Sequence, residues 1–216
     1  MPSLSAPAVS SPVLYPSVTS EFEAANQKFA ATFTQSHLPG PPRRKVAVVA
    51  CMDSRLDVEK VLGLDIGDAH VIRNGNHLQY LDIYCKADMD VTAGGRAVEA
   101  LRSILISQQL LGTREIIIMH HIEPARLTPH AQTGCGMQSF SDTDFRAKIR
   151  QEMHEDVDHM AFLPFSDLRQ SVIDDVAFLR KSPLILDVPI TGYVYDVKTG
   201  RIEQVDERAD SECSSP

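Results

Sequence analysis

The chain has 216 residues, 43% of them apolar, and a formal net charge of −8. That length fits one domain with tails, and the apolar fraction is enough for a packed core. The acidic balance excludes non-specific nucleic-acid binding, and no stretch approaches the run of about 20 apolar residues that spans a bilayer.

Residues 1–19 are rich in Ser and Pro and read as a flexible arm without a secretory or Arg-rich leader pattern. Ser20-Glu-Phe-Glu opens like a helix cap, and the helix is expected to run to about Ser36. Phe22, Ala25, Phe29 and Phe33 fall roughly on one face of it. Pro39-Gly-Pro-Pro42 ends it. Val46 to Ala50 form an apolar run of the kind buried on both faces of a parallel sheet. It runs into Cys51, Asp53 and Arg55, at the strand end where open α/β sheets gather chemistry. A thiolate ligates Zn²⁺, a carboxylate ligates a metal or accepts a proton, and an arginine pairs with that carboxylate and keeps it ionised.

Asp57 to Leu62 read as a short helix and Ala69 to Ile72 as a strand that ends at Arg73-Asn74, with His70 a packed strand residue. Residues 75–92 show no clean period, and nothing fixes a ligand spacing for His77 or Cys85. Arg96 to Leu111 form a strong helix with Val98, Leu101, Ile104, Leu105 and Leu111 on its buried side, capped by Gly112. Glu115 to His121 form a second apolar strand, and the pleat turns His120 away from the side taken by His121. Cys135 follows in Thr133-Gly-Cys-Gly-Met. Two Cys and one His leave one position open on zinc, as catalytic sites do. Residues 142–153 and Asp167 to Arg180 are helical, the latter with Leu168, Val172, Val176 and Leu179 in phase. Residues 190–205 read as a hairpin turning at Lys198-Thr-Gly200, and 207–216, with Cys213, as a polar tail. Four Cys make no disulfide framework, and a reducing cytoplasm is the expected compartment.

Cys51-x-Asp53-x-Arg55, the downstream His and Cys, Val71-Ile-Arg-Asn74 and Ala93-Gly-Gly95 resemble the β-class carbonic anhydrases, over roughly residues 20–206. The similarity is greatest to the compact branch that includes carbonyl sulfide hydrolases. It implies an α/β fold with a central, mostly parallel sheet flanked by helices, an N-terminal helical arm, and at least a homodimer. It implies Zn²⁺ on Cys51, His121 and Cys135, with Asp53 as a resting fourth ligand or as acceptor of a hydrogen bond from a zinc-bound hydroxide. Arg55 draws Asp53 off the metal. The implied reaction is reversible hydration of CO₂ to bicarbonate. The first alternative is hydrolysis of carbonyl sulfide at the same site. Another is a metal-free binding or dimerisation module, and a thiol redox role lacks a Cys-x-x-Cys motif.

Two stretches depart from the family pattern. Residues 75–92 interrupt Arg-Asn-Ala-Gly-Gly, and 122–132 separate His121 from Thr133-Gly134-Cys135, which leaves His130 as a substitute ligand. Both are genuine loops or translated intron. Gly75-Asn76 can be encoded across a splice donor and Thr92-Ala93 across an acceptor. Leu127-Thr128 and Gln132 fit only the end of an intron. The sequenced transcript decides: a spliced message that contains both segments rules the intron out.

Overall fold

The computed structural model describes residues 17–74, 95–122, 137 and 140–205. The chain falls into two units, residues 1–38 and residues 39–216. The first holds α1, Thr19–Ala31. This helix starts one residue before the expected cap and ends five residues before Ser36. Its N-cap is Val18, which offers no side-chain acceptor. At the other end the Thr32 hydroxyl donates to the Phe29 carbonyl and competes with the helical ladder.

The second unit is built on five strands: β1 (Val46–Cys51), β2 (Ala69–Asn74), β3 (Glu115–Ile122), β4 (Ile190–Asp196) and β5 (Ile202–Val205). Their order is β2-β1-β3-β4-β5, parallel throughout except for the β4–β5 hairpin. The expected α/β fold with a mostly parallel sheet is the one observed. Every residue of β1 is buried, which explains its unbroken apolar run. Alternate side chains serve opposite faces. Val49, Ile116 and Ile118 pack with Ala100 and Ile104 of α3 (Ala97–Leu111) and with Val176 and Leu179 of α5 (Leu168–Lys181). Val46, Val48, Ala50 and Met119 join a second cluster with Leu56, Val58 and Phe165. Gly192 of β4 admits α5 so closely that an added Cβ would collide with Val172.

Two more helices complete the described residues, α2 (Val58–Leu62) and α4 (Asp142–Met153). Asp57, Ser141 and Asp167 cap α2, α4 and α5 with side-chain acceptors. Gly112 ends α3 in the left-handed region at φ 77°. The buried stripe of α3 is rotated from the expected one. Ala97, Val98, Ala100, Ile104, Ser107 and Gln108 are buried, while Leu101, Leu105 and Leu111 are only partly covered. Polar partners hold that stripe in place. The Ser107 hydroxyl meets His70 Nδ1 at 2.7 Å and Thr113 Oγ1 at 2.5 Å, and Gln108 Oε1 accepts from the Leu186 amide.

From β1 the chain goes to β2 on one side and then, through α3, to β3 on the other. Such a reversal of strand order opens a crevice at the carboxyl ends of the two strands that flank it. Those ends carry Cys51 and His121. No described helix is long and apolar enough to cross a membrane.

Candidate metal centre

Cys51 is the last residue of β1 and is buried. Two neighbours fix its backbone. Asn74 stands opposite it in the β2 register. Gly95, at φ 83°, lies so close that a Cβ there would sit 2.6 Å from the Cys51 amide nitrogen. Only glycine tolerates both that conformation and that approach. This gives the final glycine of Ala93-Gly-Gly95 a physical role.

Asp53 follows in the turn after β1, where Arg55 grips it as a fork. Arg55 Nε donates to Asp53 Oδ1 at 2.9 Å and Nη2 to Oδ2 at 2.7 Å, while the Arg55 amide adds a bond of 2.9 Å to Oδ1. The Arg55 guanidinium holds the Asp53 carboxyl far below the usual carboxylate range. Partial burial opposes the shift, and the Arg55 amide and His121 add to it. Asp53 is therefore ionised at neutral pH and acts only as an acceptor.

Arg73, at the end of β2, is a further site residue. Its Nε donates to the Cys51 carbonyl at 3.1 Å and its Nη2 to the Asp53 carbonyl at 2.6 Å. It therefore holds both ends of the Cys51-Met-Asp53 turn. The sequence signal was a charged residue closing a strand beside Cys51, but no role followed from it without the strand pairing.

His121 reaches the site from β3, the parallel neighbour of β1, with Ala50 opposite Met119. Its ring is 1% exposed, yet neither nitrogen has a hydrogen-bond partner among the described residues. Nε2 faces Asp53 Oδ2 at 3.5 Å, beyond hydrogen-bond range. A buried imidazole without a partner is costly, and a cation in front of it removes the cost. His120 points the other way, as expected, toward Ser171 and Asp175 of α5.

The pleat and the strand order thus bring Cys51, Asp53, Arg55 and His121 together. Among the described residues no group of three or more His, Cys, Asp or Glu side chains is arranged to hold a metal ion. Cys135 and His130 lie outside the described residues, as do 75–92, 123–132, His77, Cys85 and Cys213. The donors present still fit zinc. A buried thiol and an imidazole without a hydrogen bond among the described residues stand at neighbouring strand ends, beside a carboxylate already held by an arginine.

Residues 46–202 match the family model described as carbonic anhydrase. Over 191 residues the chain is 36% identical to β-carbonic anhydrase 1 of Mycobacterium tuberculosis, covering 87% of this chain and 98% of that one. A carbon disulfide hydrolase of Acidithiobacillus thiooxidans is 30% identical over 184 residues, covering 75% of this chain and 77% of that one. The solved carbonic anhydrase of Streptococcus mutans superposes with a TM-score of 0.71 at 37% identity, covering 89% of this chain and all of that one. With its parallel sheet, strand-end thiol and Asp53–Arg55 fork, the chain belongs to the β-class carbonic anhydrase family.

Proposed function

We propose that the chain is a zinc-dependent carbonic anhydrase that interconverts CO₂ and bicarbonate, with Cys51, His121 and Cys135 as the metal's ligands. The observation that carries this reading is the buried His121 ring, without a hydrogen-bond partner among the described residues and turned toward an Asp53 that Arg55 already holds. Zn²⁺ in such a site supplies Lewis acidity, lowering the pKa of water from 15.7 to about 7. The chain's own residues do the rest. Arg55 occupies both Asp53 oxygens and keeps the carboxylate from serving as a ligand. Asp53, fixed as an anion, accepts a hydrogen bond from the attacking oxygen and so orients its lone pair. Arg73 fixes the turn that presents Asp53.

CO₂ comes first as substrate because the 36% match extends over nearly the whole of a β-carbonic anhydrase. Relatives named carbon disulfide hydrolases act on a sulfur analogue of CO₂, and that chemistry supports a second reading, hydrolysis of the intermediate analogue carbonyl sulfide at the same site. A metal-free binding module is the reading from another class. Zinc per purified chain, with parallel assays on CO₂ and carbonyl sulfide, separates the three. The expected result is about one zinc and CO₂ hydration as the faster reaction. No zinc and no turnover would sink the enzyme reading.

The same measurements should hold in a chain lacking residues 75–92. Asn74 and Gly95 both stand against Cys51. Ala93-Gly94 alone bridges them, since three residue steps reach about 10 Å. Loss of folding or zinc on this deletion would show that the segment belongs to the domain.

The active form is proposed to be a homodimer in a reducing, cytoplasmic setting that keeps the ligand thiols reduced. Among the described residues α1 buries none of its side chains: Phe22 and Phe29 are 67% and 53% exposed, and Phe33, which falls two residues past the helix end rather than on it, is 43% exposed. Such an aromatic face calls for a cover, and a second copy of the chain supplies one. Light scattering should give a dimer for the full chain and a monomer or aggregate for a chain starting at Arg43. A full-length monomer, or a soluble truncated dimer, would refute pairing through α1.

A further inference from the structure

Behind the strand ends lies a polar group that the reaction as read above does not use. Asp175 of α5 is fully buried. Its carboxylate meets three groups from two other elements. Oδ1 pairs with Arg96 Nε at 3.0 Å, at the N-cap of α3. Oδ2 accepts from the Ala97 amide at 3.0 Å and lies 3.1 Å from His120 Nε2 on β3. The other nitrogen of His120, Nδ1, is 2.8 Å from Ser171 Oγ, one turn earlier on α5, and that hydroxyl donates to the Leu168 carbonyl. The His120 ring also stacks on Phe165, with centroids 5.8 Å apart.

The contacts of Asp175 itself end beside residues that place the site. Arg96 and Ala97 directly follow Gly95, whose backbone rests on the Cys51 amide. His120 directly precedes His121. One buried carboxylate on α5 therefore ties together the two segments that place the thiol and the imidazole, without touching either. Burying Asp, Arg and His in one pocket is expensive, and a hydrophobic trio of similar volume would serve stability at least as well. Placement gives this cluster a reason that stability does not.

We propose that Asp175 is a positioning residue of the metal centre, acting through Arg96 and Ala97 on Cys51 and through His120 on His121. The proposal rests on the zinc reading above. Its test uses the full chain and two variants. Asp175→Asn keeps the size and removes the charge. His120→Asn keeps a donor within reach of Ser171 and gives up the contact with Asp175. Folding is followed by far-UV circular dichroism, zinc affinity by competition with a chelator, and ligand geometry by the thiolate charge-transfer band of the Co²⁺-loaded protein. Partners of metal ligands typically change affinity by about 10- to 100-fold when altered. Asp175 stands one residue further off, so the expected result is folded variants whose zinc affinity falls by up to that factor, with a shifted or weakened cobalt band. A role in stability alone would lower the melting temperature and leave affinity and band unchanged in the folded range, and that result overturns the proposal. If Asp175→Asn does not fold, His120→Asn decides by the same two readouts. A wild-type chain that holds no zinc refutes the metal reading and this inference with it. A wild-type chain with zinc and unaltered variants refutes only the inference.

Discussion

Cys51→Ser is expected to abolish zinc binding and CO₂ hydration together while leaving the fold in place. The exchange of sulfur for oxygen hardly changes the side chain's volume. The site is held by Asn74, Gly95 and Arg73 through backbone contacts that the mutation does not touch. What is lost is a thiolate, and a hydroxyl is a poor substitute as a ligand for Zn²⁺. With one thiolate gone, the two other proposed ligands, His121 and Cys135, are not expected to retain the metal against a chelator. Zinc content should fall from about one per chain to near zero, with an unchanged far-UV spectrum. Cys135→Ser should give the same result. Full zinc occupancy in either variant would refute the ligand assignment.

Asp53→Asn should separate metal binding from turnover. The amide keeps the shape and one acceptor, but it cannot carry the charge that Arg55 grips with two donors. Zinc is expected to stay and kcat/KM to fall by about 10², the scale for losing a positioned acid–base group. The pH dependence gives a second check. The folded-state pKa of Asp53 is depressed, so its contribution to stability is complete above the unfolded value of about 3.9. That contribution is lost only as pH falls through the lower folded value. Between about pH 5 and 9 the residue does not titrate, so Asp53→Asn should lower the activity plateau and keep an inflection, displaced downward if at all because a negative charge beside the titrating group is gone. Loss of zinc would make Asp53 chiefly a ligand. An inflection that disappears in the variant would make it the titrating group.

The parts of the molecule legible in the sequence are those governed by local rules. Val46–Ala50 had to be a strand buried on both faces, because no polar side chain interrupts it and charge bounds it. Gly112 announced a helix end because the left-handed conformation depends on the residue itself. Arg55 could be paired with Asp53 because two residues in one turn lie within reach of each other. The Leu168–Val172–Val176–Leu179 stripe of α5 was visible as apolar periodicity, and all four residues are buried.

The tertiary structure alone decided the polar interior. Ser171 and Asp175 share the buried face of α5 with those apolar residues, yet apolar periodicity passes over them. Their burial depends on partners 51 to 78 positions away, His120 and Ala97. The same holds for Arg73, whose role appears only when β2 lies beside β1, and for Ser107 and Gln108, which turn α3 off its most apolar face. A buried polar group is tolerable only where a partner waits for it, and the fold brings those partners in from distant parts of the chain.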